Sequence, residues 1–314
     1  MNTRATSDGS INADDHLLRR WPLPDPGDAT DKDDRGRVLL IGGSIEMPGA
    51  IVLAALGAMR AGAGKLCLAT ARSIAAHVAH AVPEARVIAL DETSGGGVIT
   101  PSIDKLPICD VDAILIGPGM QDKQATQSIT CSVLSASPSV ATVLDALALE
   151  SVKADNWQAL IDKRMSAHQS AGSKSSASIV ITPHAGEMAS LLDIEKSAVE
   201  KDKQHAALSA AKRWTTVVVA KGATTHIANP TGEVWVHAGG NVGLATSGSG
   251  DVLAGIITGL CARGAPIEQA TVWAVRLHAL AGDKLQQRFG RIGYLAREIP
   301  DHIPPLMESF ADPA

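Results

Sequence analysis

Aromatic residues make up only 3% of this chain of 314 residues, so its core must be built from Ala, Val, Leu and Ile. The four cysteines form no C-x-x-C pair, which excludes the usual spacing of a zinc site and favours a reducing, cytoplasmic setting. The net charge of -5 comes without a basic stripe, which argues against nucleic acid as the main partner. No apolar run reaches the ~18 residues of a membrane span, and the N-terminus has no apolar signal core, so we expect no membrane partner.

Composition divides the chain at about residue 36. Residues 1–36 are polar and contain an acidic run after several prolines, which predicts a mobile N-terminal arm. A short helix near residues 16–21, and an oligomer contact through its apolar side chains, are left open. The rest of the chain, residues 37–314, predicts a single domain, since a sequence that is 45% apolar can bury one large core.

Buried apolar strands alternate with helices after residue 36, an order typical of a parallel sheet with right-handed crossovers. Glycines or polar residues follow the carboxyl ends of these strands, at Gly42, Gly117, Asp145, Thr182 and Lys221. Each has an ordinary alternative, since Asp145 suits a loop cap and Lys221 a solvated turn. Ligands of such sheets bind outside the strand carboxyl ends, so the shared position of these residues predicts a site at that rim.

The strongest local signal is the glycine-rich stretch at residues 241–264. Gly248 and Gly250 stand just before an apolar helical pattern that begins with Asp251. Such glycines let backbone N–H groups converge, and a helix N-terminus adds partial positive charge, so the stretch predicts an anion cradle. A carboxylate does not help to hold phosphate, so Asp251 suggests chemistry on a phosphate. An Asp that caps a buried helix explains the same residue equally well at this point.

The G-S-G-D sequence at residues 248–251 resembles the anion hole and catalytic Asp of the ribokinase-like superfamily. Together with other motifs it resembles the ADP-dependent NAD(P)H-hydrate dehydratase family. These motifs are G-G-S with Gly49-Ala50, G-P-G at 117–119, T-P-H-x-G-E at 182–187, K-G-A-T-T at 221–225, and N-x-G-L-A-T-x-G-x-G-D-V-L-A-G from 241. Their order and spacing cover about residues 36–300. The resemblance implies an α/β fold of the ribokinase-like three-layer αβα type, with a mainly parallel central sheet and the active site at the strand carboxyl ends.

The resemblance also implies a reaction. ADP phosphorylates the hydroxyl of the S epimer of hydrated NADH or NADPH, and phosphate then leaves to restore the ring double bond, giving AMP and phosphate. Such an enzyme is a lyase that repairs nicotinamide nucleotides. Mg²⁺ is expected from phosphoryl-transfer chemistry, although the sequence contains no evident protein cage for it.

The site residues follow from the matching motif positions. Asp251 would be the base, and the N–H groups of the Gly248–Gly250 loop would stabilise the transferring phosphoryl group. The residues implied for ADP or AMP are Lys221, Gly222, Ala223, Thr224, Thr225 and Gly250. Those implied for the hydrated cofactor are Ala50, Gly119, His184 and Asp251.

The sequence departs from the family pattern at a few positions. Leu147 stands where members often have a second Asp after Asp145, which puts a paired carboxylate in doubt, and Ala185 stands where Pro is usual. Thirty-six polar residues are too few for the epimerase domain that is fused in many relatives. We therefore expect action on the dehydratase's own epimer alone, unless a separate epimerase assists. Relatives imply a homo-oligomer, for which a tetramer is one option.

Two other functions remain open from the sequence. A ribokinase-like kinase for a vitamin-precursor alcohol would share G-x-G-D, but would not be expected to carry both the T-P-H-x-G-E and K-G-A-T-T motifs at this spacing. A catalytically silent adenine-nucleotide-binding module needs no base at Asp251. The sequence does not separate NADH hydrate from NADPH hydrate, or ADP from ATP.

Overall fold

A computed structural model describes residues 9–25, 35–99, 104–170, 175 and 177–311. Ten strands in these ranges form one sheet: β1 (Ile11–Asn12), β2 (Arg37–Ile41), β3 (Lys65–Ala71), β4 (Arg86–Leu90), β5 (Ala113–Ile116), β6 (Ala141–Leu144), β7 (Ile179–Ile181), β8 (Val217–Ala220), β9 (Thr224–Ala228) and β10 (Val234–Ala238). Their order across the sheet is β1-β10-β9-β8-β7-β6-β5-β2-β3-β4. Strands β2 to β8 pair in parallel, whereas β9 runs antiparallel to both of its neighbours. The predicted, mainly parallel sheet is therefore confirmed.

Helices cover both faces of the sheet. They are α1 (Asp15–Arg20), α2 (Pro48–Arg60), α3 (Ala75–Ala81), α4 (Lys123–Ala136), α5 (Trp157–Ser170), α6 (Ala185–Leu192), α7 (Lys196–Lys201), α8 (Lys203–Trp214), α9 (Ser249–Ala262), α10 (Ile267–Phe289) and α11 (Ile303–Glu308). Helices α4 to α8 share one core with the sheet, and the others share the second core. In the part of the chain that the structure describes, no helix is both long and apolar enough to span a membrane.

The two cores arise from the alternation of side chains along the buried strands. In β2, Val38 and Leu40 face one core while Leu39 and Ile41 face the other. A strand buried on both faces reads as a continuous apolar run because both sets of side chains must leave water. This arrangement gives the three layers expected of the fold.

Small residues bring α2 and α9 into close contact. A Cβ at Gly255 would collide with the carbonyl group of Ala54, and one at Gly259 would collide with that of Ala58. Glycine is required at these positions because the backbones meet directly. The core thus has few aromatic side chains, and small residues let its helices pack closely instead. The contact also fixes the direction of α9, whose first turn carries Asp251.

The prediction of a mobile arm over residues 1–36 is wrong for residues 9–25. Strand β1 adds to the edge of the sheet beside β10, and α1 confirms the short helix left open from the sequence. Leu17 and Leu18 are buried within this same chain, so they contact its own core and do not present an apolar face to another subunit. Residues 1–8 and 26–34, which the same prediction covered, lie outside the described residues.

Polar contacts hold the segment after α1 in place. The carbonyl oxygen of Trp21 accepts hydrogen bonds from Trp273 Nε1 (2.8 Å) and Gln269 Nε2 (3.0 Å), both on α10. The indole ring of Trp21 stacks on that of Trp235 in β10 at a centroid distance of 6.1 Å. Sequence composition missed these contacts because they join residues far apart in the chain.

The Ser-rich stretch at residues 166–178 has the composition of a surface loop, but it begins as part of a helix. Helix α5 continues through its first part to Ser170, and residues 171–174 and 176 lie outside the described residues. On the inner face of α5, the buried Arg164 donates to the carbonyl oxygens of Leu134 (3.0 Å) and Ser137 (2.7 Å). These bonds anchor a helix that has little apolar patterning.

We expect Leu18→Ala to lower the free energy of unfolding by about 2–5 kcal/mol, because Leu18 is fully buried and its loss leaves a cavity. His16→Ala on the exposed side of the same helix is the control, with an expected change within about 0.5 kcal/mol. Urea unfolding at a fixed protein concentration measures both. Equal stability of the two variants would mean that residues 9–25 behave as an arm after all.

Candidate active site

The loops after the parallel strands meet at one rim of the sheet, as predicted. Backbone hydrogen bonds join neighbouring loops: Gly43 N–H donates to Pro118 O (2.7 Å), Asp145 N–H to Ile116 O (3.1 Å) and Lys221 N–H to Pro183 O (3.0 Å). These bonds extend the sheet beyond its last regular residues. Polar side chains from separate parts of the sequence are thereby held on a rigid edge.

The N-terminus of α9 lies at this rim and is built as an anion cradle. Gly248 is the N-cap, with a φ of 88° in the left-handed region, and a Cβ there would collide with the side chain of Leu53. No side chain caps the helix, so its first-turn N–H groups are not taken by a capping side chain. Asp251 lies inside the first turn and does not occupy the cap position. The helix-cap interpretation of Asp251 is therefore wrong.

The carboxyl group of Asp251 has an unusually high pKa. This pKa is raised to about 7, from an ordinary value of 3.8, and burial is the largest cause. The carboxylates of Asp145 and Glu187 also raise it, while the ammonium group of Lys221 lowers it. A carboxylate with a pKa near neutrality can accept a proton and later release it, which is the property required of a general base.

Asp145 and Lys221 form an ion pair beside Asp251. Lys221 Nζ donates to Asp145 Oδ1 at 3.0 Å, and the hydroxyl of Thr182 donates to the same oxygen at 2.6 Å. Burial opposes the charge on both groups. Even so, Lys221 and Thr182 lower the pKa of Asp145, and Asp145 is the main cause that raises the pKa of Lys221. Both groups therefore stay ionised at neutral pH.

Lys221 also contacts the cradle. A Cβ at Gly250 would lie 3.4 Å from Lys221 Nζ, so the ammonium group lies beside the first turn of α9. This residue was predicted to hold a nucleotide, and the structure adds a buried carboxylate partner. Sequence reasoning did not pair Lys221 with Asp145, because the two residues are far apart in the chain and follow β8 and β6, which have β7 between them.

His184 has a structural role as well as its predicted place in the site. It is the N-cap of α6: its Nδ1 accepts from the N–H groups of Gly186 (3.0 Å) and Glu187 (3.1 Å). The Glu187 carboxylate accepts in return from His184 N–H at 2.7 Å, which completes a capping box. The His184 side chain is still 61% exposed. In its neutral form the ring carries its proton on Nε2, which lies 3.7 Å from Glu187 Oε1.

Ala50 and Gly119 lie side by side, as their shared prediction requires. Gly119 has a φ of 67°, and a Cβ there would lie 2.8 Å from Ala50 Cβ and 2.6 Å from the carbonyl oxygen of Met47. Only glycine suits both the backbone conformation and the space. The backbone at Gly119 therefore approaches the start of α2 directly.

Lys203, on α8, lies against the predicted nucleotide loop. Its Nζ donates to the carbonyl oxygen of Thr224 (3.0 Å) and packs against Gly222, while Thr225 Oγ1 donates to the carbonyl oxygen of Gly222 (3.2 Å). Burial lowers the pKa of Lys203. Lys203 on α8 therefore holds the loop Lys221–Thr225 in place. The sequence carries no local signal for Lys203.

His278, on α10, supports the cradle. Its Nε2 lies 3.0 Å from Ser249 Oγ and 3.1 Å from the carbonyl oxygen of Ser249. Burial lowers the pKa of His278 to about 4, so the ring is neutral at physiological pH. It therefore orients the first residue of α9 without adding charge. The sequence separates the two residues too widely to suggest this pair.

Comparison with known proteins identifies the family. The family model for NAD(P)H-hydrate dehydratase matches residues 38–305. The chain belongs to the NAD(P)H-hydrate dehydratase family. It is 44% identical to the ADP-dependent (S)-NAD(P)H-hydrate dehydratase of Xanthomonas campestris pv. campestris, over 93% of this chain and 94% of that protein. It is 34% identical to the bifunctional NAD(P)H-hydrate repair enzyme Nnr of Moorella thermoacetica, over 88% of this chain but only 50% of that protein.

Solved structures agree with this assignment. The ADP/ATP-dependent NAD(P)H-hydrate dehydratase from Bacillus subtilis, co-crystallised with ATP and Mg²⁺, superposes with a TM-score of 0.75 and 26% identity over 96% of this chain and 98% of that one. A ribokinase-like superfamily protein from Enterococcus faecalis gives a TM-score of 0.75 and 26% identity over 96% of each chain. The ribokinase-like fold expected from the motifs is confirmed.

We expect the Asp251→Asn dehydratase to gain stability over the wild type as pH rises. Because the pKa of Asp251 is higher in the folded than in the unfolded protein, ionising this carboxyl destabilises the fold. In the wild type this destabilisation grows between pH ~4 and about 7 and is complete above 7. Each unit of raised pKa corresponds to about 1.4 kcal/mol. Thermal unfolding at pH 5 and pH 8 measures the difference between the two proteins. An exposed-site control, Asp155→Asn, should show the same difference at both pH values; a flat difference for Asp251→Asn as well would contradict the raised pKa.

Proposed function

We propose that this dehydratase uses ADP to convert the S epimer of hydrated NADH or NADPH to NADH or NADPH, with AMP and phosphate as the other products. The observation that carries the proposal is the Asp251 carboxylate at the uncapped start of α9, on the rim that also holds Gly119 and His184. The names of relatives that are similar along their full length support the same reaction.

The reaction can be written with all atoms balanced. Asp251 accepts the proton of the hydrate's hydroxyl, and the hydroxyl oxygen forms a bond to the β-phosphorus of ADP. The bond between that phosphorus and the bridging oxygen of AMP breaks. The carbon–oxygen bond of the new phosphate ester then breaks, phosphate leaves, and loss of a proton from the neighbouring ring carbon forms the double bond. Phosphate is a far better leaving group than hydroxide, so phosphorylation makes the dehydration possible.

The chain's residues divide into three groups by their role in this reaction. Lys221, with the loop Gly222, Ala223, Thr224 and Thr225, and Gly250 would hold the nucleotide. Ala50, Gly119 and the Nε2 donor of His184 would bind the hydrated ring. N–H groups of the Gly248–Gly250 loop would stabilise charge on the transferring phosphoryl group, because they are fixed in place before the reaction.

Mg²⁺ would enter with the nucleotide. Among the residues that the structure describes, no group of three or more His, Cys, Asp or Glu side chains is placed to hold a metal ion. Asp145 is already paired with Lys221 and Thr182. A Mg²⁺ held mainly by phosphate oxygens and water suits such a site, and when bound it would offset the charge of the phosphates.

Three properties of the protein stay predictions: a homo-oligomeric assembly, a cytoplasmic setting, and cooperation with a separate epimerase. The kinase alternative differs from the proposed function in its product, since a kinase would release a stable phosphorylated alcohol. A silent binding module would release no product at all.

We expect Asp251→Asn to retain ADP binding but to lose turnover by a factor of roughly 10²–10⁴, the usual contribution of a general base. Recovery of reduced-nicotinamide absorbance from each hydrate, with ADP or ATP, measures turnover, and calorimetry measures binding. Asp155→Asn serves as the control and should match the wild type. Unchanged turnover in Asp251→Asn would remove this residue from the mechanism, and accumulation of a phosphorylated alcohol by the wild type would favour the kinase.

A further inference from the structure

The buried carboxylate of Asp145 has no role in the reaction as proposed. Its side chain is only 4% exposed, and that of Lys221 is 19% exposed, so the pair is largely removed from water. Exposed ion pairs contribute little, whereas the geometry of a buried pair is set by its hydrogen bonds. The stabilisation offered by an ordinary surface ion pair therefore does not explain why this pair is buried at the rim.

Three adjacent strands deliver the groups that form this pair. Asp145 follows β6, Thr182 follows β7 and Lys221 follows β8. One oxygen, Asp145 Oδ1, accepts from both Thr182 Oγ1 (2.6 Å) and Lys221 Nζ (3.0 Å). Because both donors converge on one atom, the carboxylate is locked in orientation and the lysine side chain is drawn toward it.

The locked lysine ends beside the cradle. Its Nζ would be 3.4 Å from a Cβ at Gly250, the residue before Asp251. A lysine side chain otherwise has many rotamers and would follow the solvent or the ligand. Here the ammonium group is already placed at the turn where the proposed phosphoryl transfer occurs.

We propose that Asp145, held by Thr182, is a positioning residue that aims the Lys221 ammonium group at the Gly250–Asp251 turn of α9. The inference rests on the proposed function for its consequence in turnover. The ion pair itself, and its effect on the pKa of Asp251, are properties of the free protein as well.

The charges that face Asp251 make the proposal specific. Asp145 and Glu187 raise its pKa, and Lys221 lowers it, in addition to the larger effect of burial. The two members of one ion pair thus act on Asp251 in opposite directions. Removing the carboxylate should lower the pKa of Asp251, because Asp145 affects this pKa more than Lys221 does, so the lost negative charge outweighs the weaker contact with the ammonium group. Removing the ammonium group should raise it.

The test compares Asp145→Asn with Lys221→Met. We expect the acidic limb of the kcat/KM profile to move down by about one pH unit in Asp145→Asn and up by about one in Lys221→Met. Lys221→Arg keeps the cation, so its acidic limb should lie close to the pH of the wild-type limb. We also expect kcat of Asp145→Asn to fall roughly ten- to a hundredfold, because the ammonium group is no longer aimed. Asp193→Asn, which breaks an exposed pair with Lys153 of the same 3.0 Å length, is the control and should leave the profile unchanged.

A direct titration separates this inference from the proposed function. Carboxyl NMR of protein labelled at Asp, without nucleotide, follows the pKa of Asp251, and the Asp251→Asn protein assigns the signal. If Asp145 positions the ammonium group, Lys221→Met should raise the pKa of Asp251 in the wild-type background but change it much less in the Asp145→Asn background. That dependence supports the positioning role even if hydrate turnover is never found. An equal rise in both backgrounds, or no rise in either, overturns it even if the dehydratase reaction is confirmed.

Discussion

The direct contact between the backbones of α2 and α9 is the constraint on which the site depends. Glycines at the contact leave no room for side chains, so α9 has one available position against the sheet. Its first turn then stands over the carboxyl ends of the strands, where the loops already converge. An added methyl group in this contact would displace the cradle as well as the core.

Charge at the rim is balanced within the fold. Asp145 is buried and Asp251 is half-buried, and a carboxylate in such surroundings tends to take up a proton. The single ammonium group of Lys221 cannot fully offset both. Asp145 has the hydrogen bonds and stays ionised, while Asp251 has a pKa near neutrality. Two acids of the same type acquire different properties because only one of them faces two donors.

Two histidines complete the site by orienting helix starts at the rim. His278 has a low pKa and holds Ser249 through hydrogen bonds alone. His184 uses Nδ1 to cap α6. Each histidine therefore fixes the backbone of a helix start by hydrogen bonds.

The sequence by itself determined the strand order along the chain, the glycine-rich loops and the identity of Asp251, because these depend on local pattern and on a motif of contiguous residues. It erred over residues 9–25, since their polar composition does not show that Leu18 and Trp21 reach the core. Only the tertiary structure decided that Asp145 pairs with Lys221, that His278 supports Ser249, and that Asp251 stands inside the helix and not at its cap. The physical reason is that pairing and burial are properties of chain segments distant in sequence, and the pKa of Asp251 depends on both.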